Sequence, residues 1–331
     1  MKNNSLAEIA AFLAAQERLT LVCHHRPDGD TLGSAFGLRD LLEQMGKKVL
    51  VLCADPISPR YRFLSDGQRE LEGEPQGAII CLDIASPEMA GSLKDLALQA
   101  DVSIDHHATN PRYAKMNYID ANAAANGEIM LQLAKELAPM TPKAAAAFYT
   151  AIATDTGCFK YGNTTQNTHL AAAELIACGI DLAALNRHLF QTVRRAELEL
   201  NRMALETVRY FAENRIATME ITLAMLEQSG AGADELETIS SLPAQIEGVK
   251  AAATFKELAP NQYKVSLRTD GSVHGGEICA QFGGGGHKQA AGCSMSGSYA
   301  EVEKMVVDAL MKALMRQKLR ILYPRKNTII L

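Results

Sequence analysis

The chain has 331 residues, of which 47% are hydrophobic and 21% are charged, and its formal net charge is −5. This composition is typical of a globular protein and excludes a disordered one, and the length favours two domains over one. The negative charge argues against a broad nucleic-acid-binding face, but it allows a small basic pocket for a short phosphorylated ligand.

Cysteine usage and apolar runs indicate the cellular compartment. The seven cysteines include no C-x-x-C pair, and most lie within apolar runs, which is typical of buried thiols in a reducing environment. Residues 1–20 form an amphipathic helix candidate rather than a signal peptide. No apolar run reaches the ~18 residues that a membrane span needs. We therefore expect a cytoplasmic protein that does not contact a membrane.

Strand and helix signals alternate in the first half of the chain. Short continuous apolar runs predict strands of a parallel sheet that helices cover on both faces. The predicted strands are Leu19–Cys23, Lys48–Cys53, Ala78–Leu82 and Val102–Ile104. The predicted helices are Leu32–Met45, Asn126–Ala138, Pro142–Thr154 and Thr168–Cys178. These elements predict an α/β N-terminal domain over residues 1–185.

The second half begins with a charged segment. From Leu182 to about Glu213 the pattern predicts one long helix, and we interpret residues 186–213 as a solvated connector. Residues 214–331 then predict a smaller α/β domain, with the active-site cleft between the two domains. Its predicted strands are Arg215–Thr222, Val249–Leu258 and Gln262–Thr269, and its predicted helices are Glu235–Leu242, Glu277–Phe282 and Ser298–Arg316.

The tail from Lys312 onward carries six Lys or Arg residues and no acidic residue. A solvated frayed end is the favoured interpretation, and a contact with nucleic acid or a partner is the alternative.

Four polar segments each follow an apolar element in the first half. They are H-H-R-P-D-G-D (His24–Asp30), L-D (Leu82–Asp83), D-H-H (Asp105–His107) and T-D-T-G (Thr154–Gly157). Strand ends of an open α/β sheet form one shared crevice, so distant segments can converge there. A single aspartate after a strand is more often a cap or turn residue, and only the combination of segments argues for a site.

The residue types of these segments point to metal chemistry. Carboxylates with some imidazole and no cysteine suit Mn²⁺ or Mg²⁺, with iron or cobalt as alternatives, better than structural zinc. Six candidate ligands exceed the need of one ion. Two ions ~3.5–4 Å apart, bridged by one carboxylate, would use them all and would activate a water against a phosphoryl group. The segments therefore predict a two-metal phosphoesterase.

A second candidate site is the glycine-rich segment F-G-G-G-G-H-K-Q-A-A-G (Phe282–Gly292). Four successive glycine N–H groups could form a nest for phosphate oxygens, although the segment lacks the Gly-Lys-Ser/Thr of a Walker A loop. A flexible turn is the alternative. His287, Lys288 and Arg268 favour phosphate binding, because arginine can hold a phosphate through two parallel hydrogen bonds.

Together these motifs resemble, in order and spacing, the four motifs of the DHH phosphoesterases, and most closely those of the nanoRNase subgroup. The glycine-rich segment, preceded by V-S-L-R (Val265–Arg268), resembles the C-terminal domain associated with that family. The resemblance covers nearly the whole chain. One departure is Met89, where relatives often have an arginine.

The resemblance implies roles for individual residues. One ion would be held by His24, Asp28 and Asp83, and the other by Asp30, Asp83, His106 and Asp155, with Asp83 as the bridge. His107 would face the substrate phosphate as a catalytic residue, and Asp105 would orient its neighbours. Substrate contacts are implied for Arg268, Gly283, Gly284, Gly285, Gly286 and His287.

The expected activity is hydrolysis of short single-stranded oligoribonucleotides to 5′-mononucleotides with two divalent ions, preferably Mn²⁺. Hydrolysis of 3′-phosphoadenosine 5′-phosphate to AMP is a further expectation. Alternatives within the same fold are hydrolysis of linear or cyclic dinucleotides, polyphosphate or pyrophosphate. A non-catalytic RNA-binding module is disfavoured, because the sequence has no tryptophan and no extended basic-aromatic surface. No stable protein partner is implied, and a homodimer is left open.

Overall fold

The chain divides into two compact units, Met1–Thr192 and Val193–Leu331, and the largest apolar core of each is formed by residues of that unit alone. The computed structural model describes residues 3–232, 236 and 239–322. Three of the eight residues of the predicted helix over 235–242 lie outside the described residues, as does the end of the basic tail. Across the described part, no helix has the length and hydrophobicity to cross a bilayer. All seven cysteines are free thiols, and five of them are buried.

The first unit contains a five-stranded parallel sheet with the strand order β2-β1-β3-β4-β5. Its strands are β1 (Arg18–Val22), β2 (Lys48–Leu52), β3 (Ala78–Leu82), β4 (Val102–Asp105) and β5 (Met116–Ile119). The chain leaves β1 for β2 on one side and then returns to β3 on the other. This reversal makes the carboxyl ends of β1 and β3 a topological switch point, where open α/β sheets bind ligands.

Helices cover both faces of this sheet, as the continuous apolar strands predict. Leu19 and Leu21 of β1 face one core, and Val22 faces another. The α-helices of this unit are α1 (Leu6–Ala15), α2 (Gly29–Gln44), α3 (Lys94–Ala97), α4 (Asn126–Leu137), α5 (Pro142–Asp155), α6 (Gln166–Ala177) and α7 (Leu182–Asn186). The predicted α/β class is confirmed.

Glycines every four residues let α2 and α5 approach each other closely. A Cβ atom on Gly33 would lie 2.3 Å from the Ala147 carbonyl oxygen, and one on Gly37 would lie 2.3 Å from the Phe148 ring. Gly29, Gly33 and Gly37 form a glycine stripe on α2. At the first of these positions, a Cβ on Gly29 would lie 2.3 Å from Thr154 Oγ1. Since Gly29 is in the first turn of α2 and Thr154 is in the last turn of α5, this packing brings those two helix ends into contact.

The prediction of one long helix from Leu182 to Glu213 is wrong. The structure places a π-helical turn at Arg187–Gln191 after α7, extended residues at Thr192 and Arg194, and then α8 (Arg195–Leu205). Thr192 and Val193 are adjacent β-branched residues, which disfavour helix. The segment continues as the strand β6 (Arg209–Phe211).

The second unit contains a six-stranded mixed sheet with the order β10-β11-β9-β8-β7-β6, in which only β7 and β8 run parallel. Beyond β6, its strands are β7 (Ile216–Ile221), β8 (Ala251–Ala259), β9 (Gln262–Thr269), β10 (Gly285–Gly286) and β11 (Ala290–Ser296). Further helices in the described part of this unit are α9 (Leu223–Ser229), α10 (Gly275–Ala280) and α11 (Tyr299–Leu322). Strands β7 to β9 and helices α10 and α11 confirm the corresponding sequence predictions.

We predict that Gly33→Ala destabilises the protein by about 1–3 kcal/mol in urea unfolding, because the added methyl group overpacks the α2–α5 contact. Gly162→Ala is the control, since nothing lies within 4 Å of a Cβ at that position. Helix propensity alone would make Gly33→Ala stabilising. A stabilised Gly33→Ala variant would therefore contradict the close packing described above.

Candidate metal centre and active site

Six predicted metal ligands converge at the carboxyl edge of the first sheet. They come from the segments after β1, β3 and β4 and from the last residue of α5, and they are His24, Asp28, Asp30, Asp83, His106 and Asp155. The segments after β1 and β3 flank the topological switch point. The sheet order therefore explains why residues as far apart in sequence as His24 and Asp155 can meet.

Asp83 lies between two imidazoles. His24 Nε2 is 3.7 Å from Asp83 Oδ2 and 3.4 Å from Asp28 Oδ1. His106 Nε2 is 3.5 Å from Asp83 Oδ1. His106 Nε2 is also 3.7 Å from Asp30 Oδ2 and 3.8 Å from Asp155 Oδ2. The cluster thus has two halves that share Asp83.

Backbone carbonyls orient both imidazoles. His24 Nδ1 lies 2.8 Å from the His25 carbonyl oxygen, and His106 Nδ1 lies 3.2 Å from the Ala123 carbonyl oxygen. Donation of the Nδ1–H to a carbonyl leaves Nε2 as the free lone pair, which is the arrangement that metal-binding histidines use. Both Nε2 atoms therefore face the carboxylates as potential ligands.

Asp83 is strained and incompletely paired. Its φ is +59°, in the left-handed region that non-glycine residues rarely adopt. Its side chain is buried, and Oδ1 has no hydrogen-bond partner. A buried carboxylate oxygen without a donor is costly, and strained residues of this kind concentrate at functional sites. A cation at this position would compensate the unpaired oxygen.

Three of the carboxyl groups have raised pKa values. Burial raises the pKa of Asp83, and the charge of Asp30 raises it further. Burial also raises the pKa of Asp30, with the charge of Asp155 as the next cause. Burial likewise raises the pKa of Asp155, and the nearby His106 only partly offsets this. Each group thus resists ionisation in its present surroundings, and a divalent cation would reverse that preference.

Asp30 has a structural role that the sequence did not reveal. Its carboxylate oxygens accept hydrogen bonds from the backbone N–H groups of Asn126 (2.6 Å) and Gly127 (2.9 Å). These residues begin α4, whose N-cap residue Ala125 provides no side-chain cap. Asp30 therefore caps α4 from 96 residues away in sequence. No local motif could have indicated this contact.

Asp155 occupies an unfavourable place for a carboxylate. It is the last residue of α5, where the helix dipole presents its negative end. The turn that follows contains three successive left-handed residues, Gly157, Cys158 and Phe159. Asn163 donates a hydrogen bond from Nδ2 to the Asp155 carbonyl oxygen (3.2 Å). The local backbone therefore holds Asp155 at a position that stability alone would disfavour.

Asp105 is fully buried and orients the two histidines that follow it. Its Oδ1 accepts hydrogen bonds from the backbone N–H of His106 (2.8 Å) and from Nδ1 of His107 (2.8 Å). Burial alone would raise the pKa of Asp105, but these interactions with His107 outweigh it and the pKa is lowered. In return, the hydrogen bond to Asp105 raises the pKa of His107.

Two further residues that the sequence analysis did not single out link the site loops. Asn110 Nδ2 donates to Asp105 Oδ2 (2.8 Å) and to the Ile84 carbonyl oxygen (3.1 Å), which connects the loops after β4 and β3. Thr31 Oγ1 donates to the Leu82 carbonyl oxygen (2.9 Å), which connects α2 to the end of β3. Neither residue carries a signal in the sequence beyond its proximity to a motif.

Met89 contributes through its backbone. Its carbonyl oxygen accepts hydrogen bonds from the backbone N–H of His25 (2.6 Å) and from His25 Nδ1 (2.7 Å). These contacts tie the segment after β1 to the segment after β3, and they do not depend on the Met89 side chain. The link would therefore persist with a different side chain at this position.

The donor set fits divalent cations. Three groups of residues could each hold an ion, because within each group the ligand atoms lie within 4.8 Å of one another. The groups are His24/Asp28/Asp83, Asp30/His106/Asp155 and Asp83/His106/His107. The first contains the three ligands predicted for one ion, and the second contains three of the four predicted for the other, without Asp83. The third would require His107 Nδ1, which already contacts Asp105. Carboxylate and imidazole donors together with the unpaired oxygen of Asp83 make this a chemically suitable metal centre.

The predicted phosphate-binding residues lie in the second unit. Arg268 on β9 is opposite Ala290 of β11, and the His287 backbone N–H donates to the Ala290 carbonyl oxygen (2.8 Å). Arg268 is half-buried and donates through Nη1 to the Leu267 carbonyl oxygen (3.2 Å). The structure thus brings Arg268 next to the end of the hairpin that carries His287.

The expectation of four free glycine N–H groups is wrong. The N–H groups of Gly283 and Gly284 donate to the carbonyl oxygens of Ala280 and Cys279, at the end of α10. Gly285 and Gly286 form β10 and pair with β11. A Cβ on Gly284 would lie 2.2 Å from the Gly292 carbonyl oxygen. Close packing within a hairpin, rather than a nest of free amides, explains the need for glycine at this position.

Comparisons with known proteins agree with this architecture. Residues 18–152 match the model of the DHH family, N-terminal domain, and residues 215–316 match that of the DHHA1 domain. A solved structure of an exopolyphosphatase-related protein from Bacteroides fragilis has a similar fold. The superposed region covers 95% of this chain and 97% of the other chain, with a TM-score of 0.85 and 22% sequence identity.

Two curated relatives are similar along most of their length. Both are named bifunctional oligoribonuclease and PAP phosphatase NrnA. The one from Thermus thermophilus is 32% identical over 311 residues, which are 91% of this chain and 92% of the relative. The one from Bacillus subtilis is 28% identical over 307 residues, with coverages of 91% and 96%. The chain therefore belongs to the DHH family and is a phosphoesterase of the hydrolase class.

Proposed function

We propose that this phosphoesterase uses two divalent ions to hydrolyse short oligoribonucleotides to 5′-mononucleotides, and that it also hydrolyses 3′-phosphoadenosine 5′-phosphate to AMP. The main support for the metal dependence is the buried, unpaired Oδ1 of Asp83 between two groups of potential ligands. The support for the substrates is the oligoribonuclease and PAP phosphatase activity named for the two NrnA relatives.

The proposed ligand sets follow the two halves of the cluster. His24, Asp28 and Asp83 would hold one ion, and Asp30, Asp83, His106 and Asp155 would hold the other. Mixed oxygen and nitrogen donors favour Mn²⁺. When bound, the ions would activate a water as a nucleophile and neutralise charge on the phosphoryl oxygens.

His107 is proposed to act on the substrate rather than on a metal. Its Nδ1 is committed to Asp105, and its side chain is 40% exposed. The hydrogen bond to Asp105 raises the pKa of His107, which favours the protonated imidazole more than in an isolated histidine. Protonated His107 would hold a phosphoryl oxygen or donate a proton to the leaving oxygen. Asp105 would keep the ring in the required orientation and protonation state.

Arg268 and His287 are proposed to bind the substrate. The guanidinium of Arg268 provides planar donors that suit a phosphate group. The glycines Gly283, Gly284, Gly285 and Gly286 would contribute by keeping the hairpin thin, so that a ligand can approach its backbone closely.

The substrate proposal is tested by a panel of labelled RNAs of two to twenty-four nucleotides, 3′-phosphoadenosine 5′-phosphate, cyclic dinucleotides and pyrophosphate, each with Mn²⁺. We expect preferred turnover of RNAs of two to five nucleotides and release of 5′-mononucleotides. Turnover of pyrophosphate alone would overturn the proposal, and a preference for cyclic dinucleotides would favour the alternative phosphodiesterase activity.

We predict that Mn²⁺ raises the thermal unfolding temperature of the wild-type protein, because a ligand of the native state stabilises it by mass action. Asp83→Asn should abolish this increase and reduce the turnover of short RNA at least about a thousandfold. The metal-free variant should unfold at or above the wild-type temperature, because a buried charge is removed.

The matched control for this experiment is Asp66→Asn, since Asp66 is an exposed aspartate that pairs with Lys143. It should retain both the Mn²⁺-dependent increase in unfolding temperature and the activity. An Asp83→Asn variant that binds Mn²⁺ as the wild type does would refute the bridging role.

We predict that Arg268→Ala raises the KM for short RNA by about ten- to a hundredfold with little change in kcat, because hydrogen bonds from a charged donor are lost. Arg268→Lys should recover only part of this loss, since lysine keeps the charge but not the planar donors. A selective decrease in kcat at unchanged KM would contradict a binding role for Arg268.

A further inference from the structure

Tyr161 presents an aromatic ring on the turn that follows Asp155, the last residue of α5. It is 61% exposed, although it is a large side chain with an apolar ring. The ring lies against Gly157, because a Cβ on that glycine would come within 2.3 Å of Tyr161 Cζ. Gly157 is two residues from Asp155, a proposed metal ligand. One side of the ring thus rests on backbone, while most of the side chain is open to solvent.

The turn that carries Tyr161 is firmly anchored. The backbone N–H groups of Lys160 and Tyr161 both donate to the Thr156 carbonyl oxygen (3.0 Å each). Asn163 Nδ2 donates to the Ala124 carbonyl oxygen (2.9 Å) as well as to that of Asp155. These bonds tie the backbone of the turn to α5 and to the segment just before α4. The backbone of Tyr161 is therefore fixed relative to that of Asp155.

The neighbouring aromatic residue behaves differently. Phe159 packs on His169, with ring centroids 5.3 Å apart, and it also contacts Tyr149. Phe159 therefore supplies the packing that holds the turn against the unit. Tyr161 is left exposed by a turn whose three left-handed residues, two of them not glycine, are energetically costly. Such local strain argues for a role of this turn beyond packing.

A planar ring at this position suits a planar ligand group. Any nucleobase can stack on an exposed aromatic side chain, because every base has a π face. This interaction does not depend on the nucleotide sequence. The adjacent Lys160 is also exposed and adds a positive charge that suits a nucleic-acid backbone. A mineral phosphate or polyphosphate would gain nothing from the ring.

We propose that Tyr161 is a base-stacking residue, which binds the nucleobase next to the phosphoester that is hydrolysed. This inference rests on the proposed function, and it defines the preferred substrate as a nucleotide with a base at that position. Tyr161 forms or breaks no bond in the reaction. Its role is to position the nucleotide, and it should therefore act mainly on substrate binding.

The experiment compares a 5′-phosphorylated diadenylate with a dinucleotide analogue that lacks both bases. In the wild type with Mn²⁺, the analogue should have a KM about tenfold or more above that of the diadenylate. Tyr161→Ala should raise the KM for the diadenylate by a similar factor and leave the analogue unaffected. Tyr161→Phe should retain wild-type values, and Tyr161→Leu should resemble Tyr161→Ala despite its apolar side chain.

Binding of the same two ligands in EDTA, measured by calorimetry, gives a readout that does not depend on activity. Leu170→Ala is the control, because Leu170 is 58% exposed but lies on α6 outside the turn. Equal affinity of wild type and Tyr161→Ala for the diadenylate would overturn the inference. If the wild type hydrolyses no RNA, the proposed function fails, and the binding measurement alone then decides whether Tyr161 stacks on a base.

Discussion

The structure of the first unit depends on the burial of negative charge at one edge of a parallel sheet. Asp30 and Asp83 are almost fully buried, burial raises the pKa of both, and the charge of Asp30 raises the pKa of Asp83 further. Hydrogen bonds satisfy the carboxylate of Asp30 but leave Oδ1 of Asp83 unpaired. A protein that only needed stability would replace such a group with an apolar or amide side chain. The cluster is instead suited to divalent cations, and the family membership of the chain agrees with this chemistry.

The close packing of α2 and α5 is what assembles this cluster. The glycine stripe on α2 lets the helices approach until Gly29 meets Thr154, which places the first turn of α2 beside the last turn of α5. Asp28 and Asp30 therefore come near Asp155, although the end of a helix is an unfavourable place for that carboxylate. The left-handed backbone at Asp83 and after Asp155 adds further strain. Both features indicate that function, rather than stability, determines this geometry.

Most of the sheet and the membership of the cluster could be predicted from the sequence, because apolar runs and polar segments are local signals. The errors arose where a few adjacent residues change the backbone conformation that the wider pattern predicts. The helix predicted over 182–213 is interrupted at Thr192 and Val193, and the glycines at 283–286 use two of their N–H groups within the chain. Asn110, Thr31 and the capping of α4 by Asp30 could not be predicted, since each joins segments that are distant or unrelated in sequence.

The sequence by itself determined the α/β class, the family resemblance and the identity of the candidate ligands, because these depend on residue types and their spacing. Only the tertiary structure decided which carboxylate oxygen is left unpaired, how each imidazole is oriented and which aromatic ring is exposed on the turn after Asp155. Those properties depend on the order of the strands, on the approach of two helices and on backbone conformation at single residues. They arise from contacts between distant segments, which no local pattern of residues encodes.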